Sequence, residues 1–334
     1  MSSNLRTMPA SRSSAGHSGI SVQDDSVRVA VIGVGHLGRH HARILSTLKG
    51  ATLVAVVDTV PERAKEAADA TGAKPVTDYR ELLGDIDAVT VAVPTELHRE
   101  IALPFLDRGT AVLVEKPMAR TLAEADELLT AAAASGAILA VGHTERFNPA
   151  VAAVMPLVTS PRFIEVHRLG VFPDRSLDID VVFDLMIHDL DIVLALVRSD
   201  VISIEAVGVP VLTNRFDIAN ARLRFASGCI ANITASRISR ERVRKIRFFQ
   251  PEAYISIDYA AQEVEGWRLV RVEGAKPKIE GGALPVNRDE PLMREMADFV
   301  DAVRSRRAPL VDGGAGRRAL ELATRIAEKM ESVA

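Results

Sequence analysis

The segment 26–38, SVRVAVIGVGHLG, constrains this chain more than any other stretch. Val29, Ala30, Val31 and Ile32 form the unbroken apolar run of a parallel strand buried on both faces. It leads directly into Gly33-Val34-Gly35-His36-Leu37-Gly38, a GxGxxG turn. In such a turn the first glycine allows the sharp exit from the strand. The second lets a pyrophosphate approach bare backbone, and the third lets the next helix pack closely. A helix is predicted over 36–48, with unpaired N–H groups and a positive dipole end aimed at the phosphates. That arrangement sets His36 and Leu37 beside the cofactor too. A second strand, 52–57, ends at Asp58, twenty residues past Gly38, where a carboxylate can accept hydrogen bonds from an adenosine ribose. A carboxylate there repels a 2′-phosphate and favours NAD, while Arg63 leaves NADP open. The competing reading is a glycine turn in an unrelated α/β protein, with Asp58 a solvated strand-end cap.

Strands and helices go on alternating. Helices are predicted over 61–70, 79–83, 97–108 and 121–134, and strands over 74–76, 88–93, 111–114 and 138–141. This succession predicts an α/β fold: an N-terminal Rossmann domain, 27–145, with a doubly wound parallel sheet and its ligand at the carboxyl ends of the strands. Four strand ends therefore matter: Gly33 to Gly38, Asp58, the stretch with Pro94, Thr95 and His98, and the stretch with Glu115, Lys116 and Pro117.

The texture changes after Gly142. Predicted strands 163–169, 202–209, 219–225, 230–236, 243–249 and 253–258 follow one another, and a helix over 180–197 precedes most of them. This is a C-terminal α+β domain, 146–334, with an open, mostly antiparallel sheet. A final helix pair, 292–304 and 316–330, is expected to pack back on the first domain. Residues 1–26, rich in Ser, read as a disordered tail with neither the apolar core of a secretory signal nor a twin-arginine pair.

Charge excludes some function classes. Forty-one Lys and Arg against 44 Asp and Glu give a net charge of −3, so no global field attracts nucleic acid or an anionic membrane. No apolar run reaches membrane-spanning length. The single cysteine, Cys229, excludes an internal disulfide and fits a reducing, cytoplasmic compartment.

Three segments carry chemistry. In Glu115-Lys116-Pro117, an ammonium at the mouth of the sheet can polarise a substrate oxygen and stabilise an alkoxide; the alternative is a surface lysine. In the run DLMIHDLD, Asp184 and His188 stand one helical turn apart, with Asp191 three residues further on. Carboxylates flanking an imidazole can orient it and tune it as an acid or base near neutrality. No third ligand is spaced for a metal, so none is expected. The third segment is basic, Ser236 to Arg247: Arg240, Arg242 and Arg244 alternate and would share one face of a strand. It has few aromatics for a nucleic-acid surface.

GVGHLG, VPTELH at 93–98, EKP at 115–117, GHTERFNPA at 142–150 and DLMIHDLD at 184–191 together resemble the glucose–fructose oxidoreductase/inositol dehydrogenase (Gfo/Idh/MocA) family. The resemblance implies a Rossmann domain joined to an open-faced α/β domain whose sheet forms a homodimer or homotetramer. It implies that Lys116 and His188 meet a substrate carbinol with Asp184 in support, and that the Lys116–Pro117 bond is cis. The family usually carries glycine two residues after the first aspartate of DLMIHDLD; this chain has Met186. GHTERFNPA with DLMIHDLD is most similar to the branch that oxidises the 3-hydroxyl of UDP-N-acetylglucosamine to a 3-keto nucleotide sugar for later amination. Arg146, Asn148 and Arg237 are then assigned to the nucleotide sugar, with Arg146, Arg237 and the basic run as cations for its diphosphate. His98 is placed at the nicotinamide and His143 near the substrate. A dehydrogenase of a UDP-hexuronic acid or of a free polyol such as inositol stays open, as does a non-catalytic NAD-sensing protein.

Overall fold

The apolar runs of the first half become one sheet in the computed structural model, which describes residues 26–172, 179–273 and 276–331. The predicted tail, but for Ser26, lies outside the described residues. Strands and helices alternate as β1 (Val27–Ile32), α1 (Gly38–Leu45), β2 (Ala51–Val57), α2 (Pro61–Thr71), β3 (Lys74–Val76), β4 (Ala88–Val91), α3 (His98–Leu106), β5 (Ala111–Glu115), α4 (Leu122–Ser135) and β6 (Leu139–Gly142). The segment expected as a short helix at 79–83 is a 3-10 turn, Tyr79–Leu82. Local signals set the boundaries. Pro61 opens α2, which closes at Gly72 with φ of 76°. Thr121 Oγ1 accepts from Glu124 N–H to cap α4, which closes at Gly136.

All pairs in this sheet are parallel, and the strand order is β3-β2-β1-β4-β5-β6. Chain direction across the sheet reverses between β1 and β4, which opens a crevice beyond their carboxyl ends. Every residue of β4 and β5 is buried. One apolar layer covers the sheet with α3 and α4, the other with α1 and α7 (Pro291–Ser305).

The second half builds β7 (Phe163–Leu169), β8 (Val201–Val209), β9 (Ile218–Phe225), β10 (Ile230–Ser236), β11 (Val243–Gln250), β12 (Ala253–Asp258), β13 (Glu263–Val270) and β14 (Lys278–Leu284). Their order is β14-β13-β12-β11-β7-β10-β9-β8, antiparallel except between β7 and β10. The inner face, with Ile164, Val166, Ala221, Ile233, Ile246 and Ile257, packs on α5 (Pro149–Val154), α6 (Ile187–Val197) and α8 (Gly313–Glu331). The segment around α8 also ties the two sheets together: Val141 N–H donates to Val311 O at 3.1 Å, across from where α8 begins.

Sequence patterning missed β13, β14 and α5. EVEGWRLV and KIEGGAL mix charges and glycine with few apolar residues, and backbone pairing as an exposed hairpin forms them. Helix α5 is one and a half turns long, too short for a periodic signal, though Asn148 caps it and Pro149 opens it. The predicted helix 180–197 is not uniform. Its first turn, Val182–Met186, is π-helical, and Ile187 N–H bonds Val182 O. The basic run is corrected too: β11 begins at Val243, so Arg240 and Arg242 lie before the strand and do not share a face with Arg244.

Candidate active site

The glycine turn has the shape a dinucleotide needs. Gly33 has φ of 84°, and a Cβ on it would come within 2.6 Å of Ala92 O. A Cβ on Gly38 would fall 1.7 Å from Gly33 O, so the turn closes only with both glycines. A Cβ on Gly35 would meet nothing within 4 Å; the middle glycine faces open space. Leu37 at the N-cap supplies no side-chain cap, and the first turn of α1 holds no acidic residue, so nothing on the helix competes with an anion there. His36 and Leu37 are exposed at the crest of the turn.

Asp58, at the end of β2, is more ordered than a solvated cap. Its carboxylate is 9% exposed and accepts from Val34 N–H at 3.2 Å and from Val60 N–H at 3.0 Å. It is thus held against the glycine turn at the position a ribose would occupy. Arg63 is exposed on α2. These residues fit an adenine dinucleotide, and they fit it at the crevice between β1 and β4.

On the other side of the crevice, Pro94 is exposed and Thr95 half-buried at the start of a short turn after β4. His98 does not face the crevice. It is buried, with Nδ1 3.0 Å from Pro117 O and Nε2 2.9 Å from Val93 O. Both ring nitrogens lie against backbone carbonyls, and its one N–H staples the VPTELH loop or the loop after β5, so the side chain is turned inward. Glu115 is likewise turned inward. One carboxylate oxygen meets His41 Nε2 at 3.0 Å, and the other accepts from Lys116 N–H at 3.2 Å. Despite its burial, the bond from His41 and the charge of Lys116 keep this carboxyl below its ordinary range. Glu115 therefore fixes the backbone of Lys116. The Lys116–Pro117 peptide is cis.

Lys116 itself reaches across to the π-helical turn. Its Nζ donates to Asp184 O at 2.6 Å and lies 3.5 Å from Asp184 Oδ1. In the π turn the backbone bonds skip to the fifth residue, and the Asp184 carbonyl accepts the Lys116 ammonium. Met186 sits at the end of this turn, fully buried in the core.

His188 follows one turn later. Burial comes first, then the charges of Lys116 and Arg168, in pushing its pKa well below the ordinary value for histidine. The imidazole is neutral at neutral pH. Neither expected carboxylate orients it. Asp184 is engaged with Lys116, and Asp191 takes both guanidinium bonds of Arg146 at 2.9 Å each. The His188 Nδ1 is buried with no hydrogen-bond partner among the described residues.

Three residues assigned to the nucleotide sugar are likewise engaged with partners inside the protein. Arg146 is paired with Asp191, their side chains only 10% and 2% exposed. Asn148 is buried; it caps α5 through Ala150 N–H and donates to Tyr259 O at 3.1 Å. Arg237 is 1% exposed and donates to Asp217 Oδ1 at 2.8 Å and to Ile179 O at 2.8 Å. None of the three can meet a diphosphate without leaving a buried partner.

Arg244 of the basic run is placed differently. Its side chain is 52% exposed and its NH1 lies 3.9 Å from Glu145 Oε1. It is paired in register with Arg168 on the inner face of the sheet, and its charge reaches His188. Arg168 is not free: it is buried and binds Asp189 through two bonds of 2.6 and 3.0 Å and Glu145 through a third of 3.0 Å. This buried network was not legible in sequence. Residues 145, 168 and 189 carry no local motif that pairs them.

Comparison with known proteins follows these features. Residues 27–143 match the model of an oxidoreductase family with an NAD-binding Rossmann fold. Residues 165–255 match the GFO/IDH/MocA C-terminal domain. A UDP-N-acetylglucosamine 3-dehydrogenase of Acidithiobacillus ferrooxidans is 36% identical over 92% of this chain and 98% of its own. Its solved structure superposes with a TM-score of 0.86. An inositol 2-dehydrogenase of Acidothermus cellulolyticus is 34% identical over 55% of this chain and 57% of its own. A probable dehydrogenase of Thermotoga maritima, at 24% identity and a TM-score of 0.78, shares the fold over 92% of this chain and 98% of its own.

Proposed function

The chain belongs to the Gfo/Idh/MocA family of NAD-binding oxidoreductases, and from that premise we propose that it oxidises the 3-hydroxyl of UDP-N-acetylglucosamine to a 3-keto nucleotide sugar. One structural observation carries the reading. Lys116, from the end of the Rossmann strand β5, reaches the π turn at Asp184, one helical turn before His188 of α6, and its charge acts on that imidazole. A cation and a neutral imidazole at that point are what removal of hydrogen from a carbinol requires.

NAD, when bound, supplies the acceptor for the hydride from the sugar carbon. Gly33, Gly35 and Gly38 with the open end of α1 would hold its pyrophosphate, and Asp58 its adenosine ribose; that carboxylate favours NAD over NADP. His188, kept neutral by burial and by the cations around it, takes the hydroxyl proton as general base. Lys116 holds the substrate oxygen and stabilises the charge that develops on it. Asp184 steadies the ammonium through its carbonyl and carboxylate. Arg244, exposed and on the inner face of the second sheet, would supply a cation for the diphosphate.

The similarity to the Acidithiobacillus enzyme over nearly the whole of both chains supports UDP-N-acetylglucosamine over a free polyol, which would leave Arg244 without an anion. The outer face of the second sheet supports a homodimer or homotetramer. Phe163, Phe249 and Tyr254 stack there at 5.5 and 5.2 Å, and Trp267, Val207, Val209 and Ile279 are exposed on the same face.

Purified protein supplied with NAD and, in turn, UDP-N-acetylglucosamine, its uronic acid and inositol separates the readings. NADH formation with UDP-N-acetylglucosamine is expected. NADH formation with only one of the other two would replace the substrate, and none with any sugar despite NAD binding would favour a sensor.

A further inference from the structure

His188, Asp189 and Asp191 share the first turn of α6. A helix turns by about 100° per residue, so Asp189 leaves it about 100° to one side of His188 and Asp191 about 60° to the other. Both aspartates are buried, 0% and 2% exposed, while His188 between them keeps part of its surface open. Each carboxylate is gripped by the fork of one guanidinium. Arg168 on β7 binds Asp189 at 2.6 and 3.0 Å, and Arg146 binds Asp191 through two bonds of 2.9 Å.

The two grips belong to one ring of residues. Glu145, the neighbour of Arg146 in the 3-10 turn Thr144–Phe147, accepts a third bond from Arg168 at 3.0 Å. The ring runs through 145, 146, 191, 189 and 168 and back to 145, and it ties together the turn after β6, the second sheet and α6. Arg168 is 4% exposed, and the centre of the Tyr259 ring lies 5.4 Å from its guanidinium carbon. Buried ion pairs of this kind add little to stability beyond what apolar side chains of the same volume would give, because desolvation offsets their attraction. What they add is direction. The apolar contacts of α6 with the core, such as those of Leu190 and Val193, have no preferred angle and tolerate a small rotation. Two forks on different sides of one helix do not.

We propose that Arg168 is a positioning residue for the His188 base: its forked bond to Asp189, closed into a ring by Glu145 and the Arg146–Asp191 pair, fixes the rotation of α6 that presents the imidazole to the substrate carbinol. The turn before His188 is π-helical and breaks the regular step of the helix, so residues 182–186 do not hand on an α-helical register. Side chains reach about 5–6 Å from a helix axis, so a rotation of about 10° displaces the imidazole by about 1 Å. A misplacement of that size can cost about a hundredfold in rate. A lysine at 168 would keep the charge, lose the fork and leave the helix that freedom.

The inference rests on the reading of His188 as the base, and the test separates the two. Arg168→Lys and Asp189→Asn loosen the same fork from its two ends. In each, kcat counted per NADH-binding site, with the sites titrated by fluorescence, should fall about tenfold to a hundredfold, while KM for UDP-N-acetylglucosamine and NADH affinity stay within about threefold. A purely structural pair would lower the melting temperature or the number of NADH-binding sites and leave kcat per site at the parent value, which would overturn the inference. Amide hydrogen exchange on the intact parent protein needs no variant. The amides of 187–192 should exchange as slowly as those of β5, and fast exchange there would overturn the inference too, since a loose turn cannot fix a side chain. Full kcat per site in both variants beside an inactive His188→Ala leaves the base in place and removes only the role of Arg168. Full activity in His188→Ala would instead remove the reading on which the inference rests.

Discussion

Lys116 Nζ stands 2.6 Å from the backbone carbonyl oxygen of Asp184, joining the end of a Rossmann strand to a π-helical turn 68 residues later. This bond does more than tether a side chain. It brings the ammonium within electrostatic reach of His188, one turn on, where its charge adds to burial in keeping that imidazole neutral. In the proposed mechanism the two groups are matched: the cation discourages protonation of the imidazole before substrate arrives.

Replacing Lys116 with Met removes the charge and keeps the stem. NAD affinity should stay within a few-fold of the parent, and kcat should fall by about a hundredfold to ten-thousandfold. Fluorescence titration with NADH and steady-state kinetics check the two halves; loss of NAD affinity alone would assign Lys116 to the cofactor and not to the chemistry.

The acid limb of kcat/KM for oxidation should lie below the ordinary histidine range. Only neutral His188 accepts a proton, and its pKa in the folded protein is lowered by burial and neighbouring cations. Activity should therefore rise through that lowered pKa and be flat from about pH 6.5 upward until other groups titrate. An inflection at or above the ordinary histidine value would contradict this environment.

Arg244→Ala should raise KM for a UDP sugar by about tenfold or more, leave kcat nearly unchanged, and flatten the rise of KM with salt. An unchanged KM would mean that the diphosphate is held elsewhere.

Glu295 on α7 gives a stability signature of opposite sign to most carboxylates. It is 1% exposed; Thr144 Oγ1 donates to one oxygen at 2.9 Å and the other has no partner among the described residues. Burial, then the negative charge of Glu115, raises its pKa well above 4.5. The folded form keeps the proton that the unfolded form gives up near 4.5, so its stabilisation is complete below that value and is lost as pH rises through the folded pKa. Glu295→Gln, which cannot ionise, should match the parent in melting temperature at about pH 4.5 and exceed it at pH 8. Parallel melting curves across that range would refute the neutral assignment.

Arg146→Ala should cost about 3–5 kcal/mol of stability, since it leaves the Asp191 carboxylate charged, buried and without its two bonds. Chemical denaturation measures it. A stable variant with weakened sugar binding would return Arg146 to the substrate site.

The parallel sheet, its switch point and the position of Asp58 were legible because their causes are local. A run of apolar residues, a glycine that must adopt φ of 84°, and a helix cap act on neighbours a few residues away. Lys116 and His188 could be picked out for a similar reason, since each sits in a short segment that carries its own chemical signal. The hairpin of β13 and β14 was hidden because its stability lies in pairing between backbones, which composition does not report.

What the linear order of residues determined by itself was the dinucleotide fold and the two groups proposed for the chemistry. Tertiary structure alone decided which charges were left to use. Arg146, Arg237 and Arg168 look like Arg244 in sequence, yet each finds a carboxylate 20 to 45 residues away and is buried with it, whereas Arg244 keeps an open side. Desolvation makes that choice: a guanidinium is committed once burial strips its water and a carboxylate replaces it, and only the folded chain brings the carboxylate there.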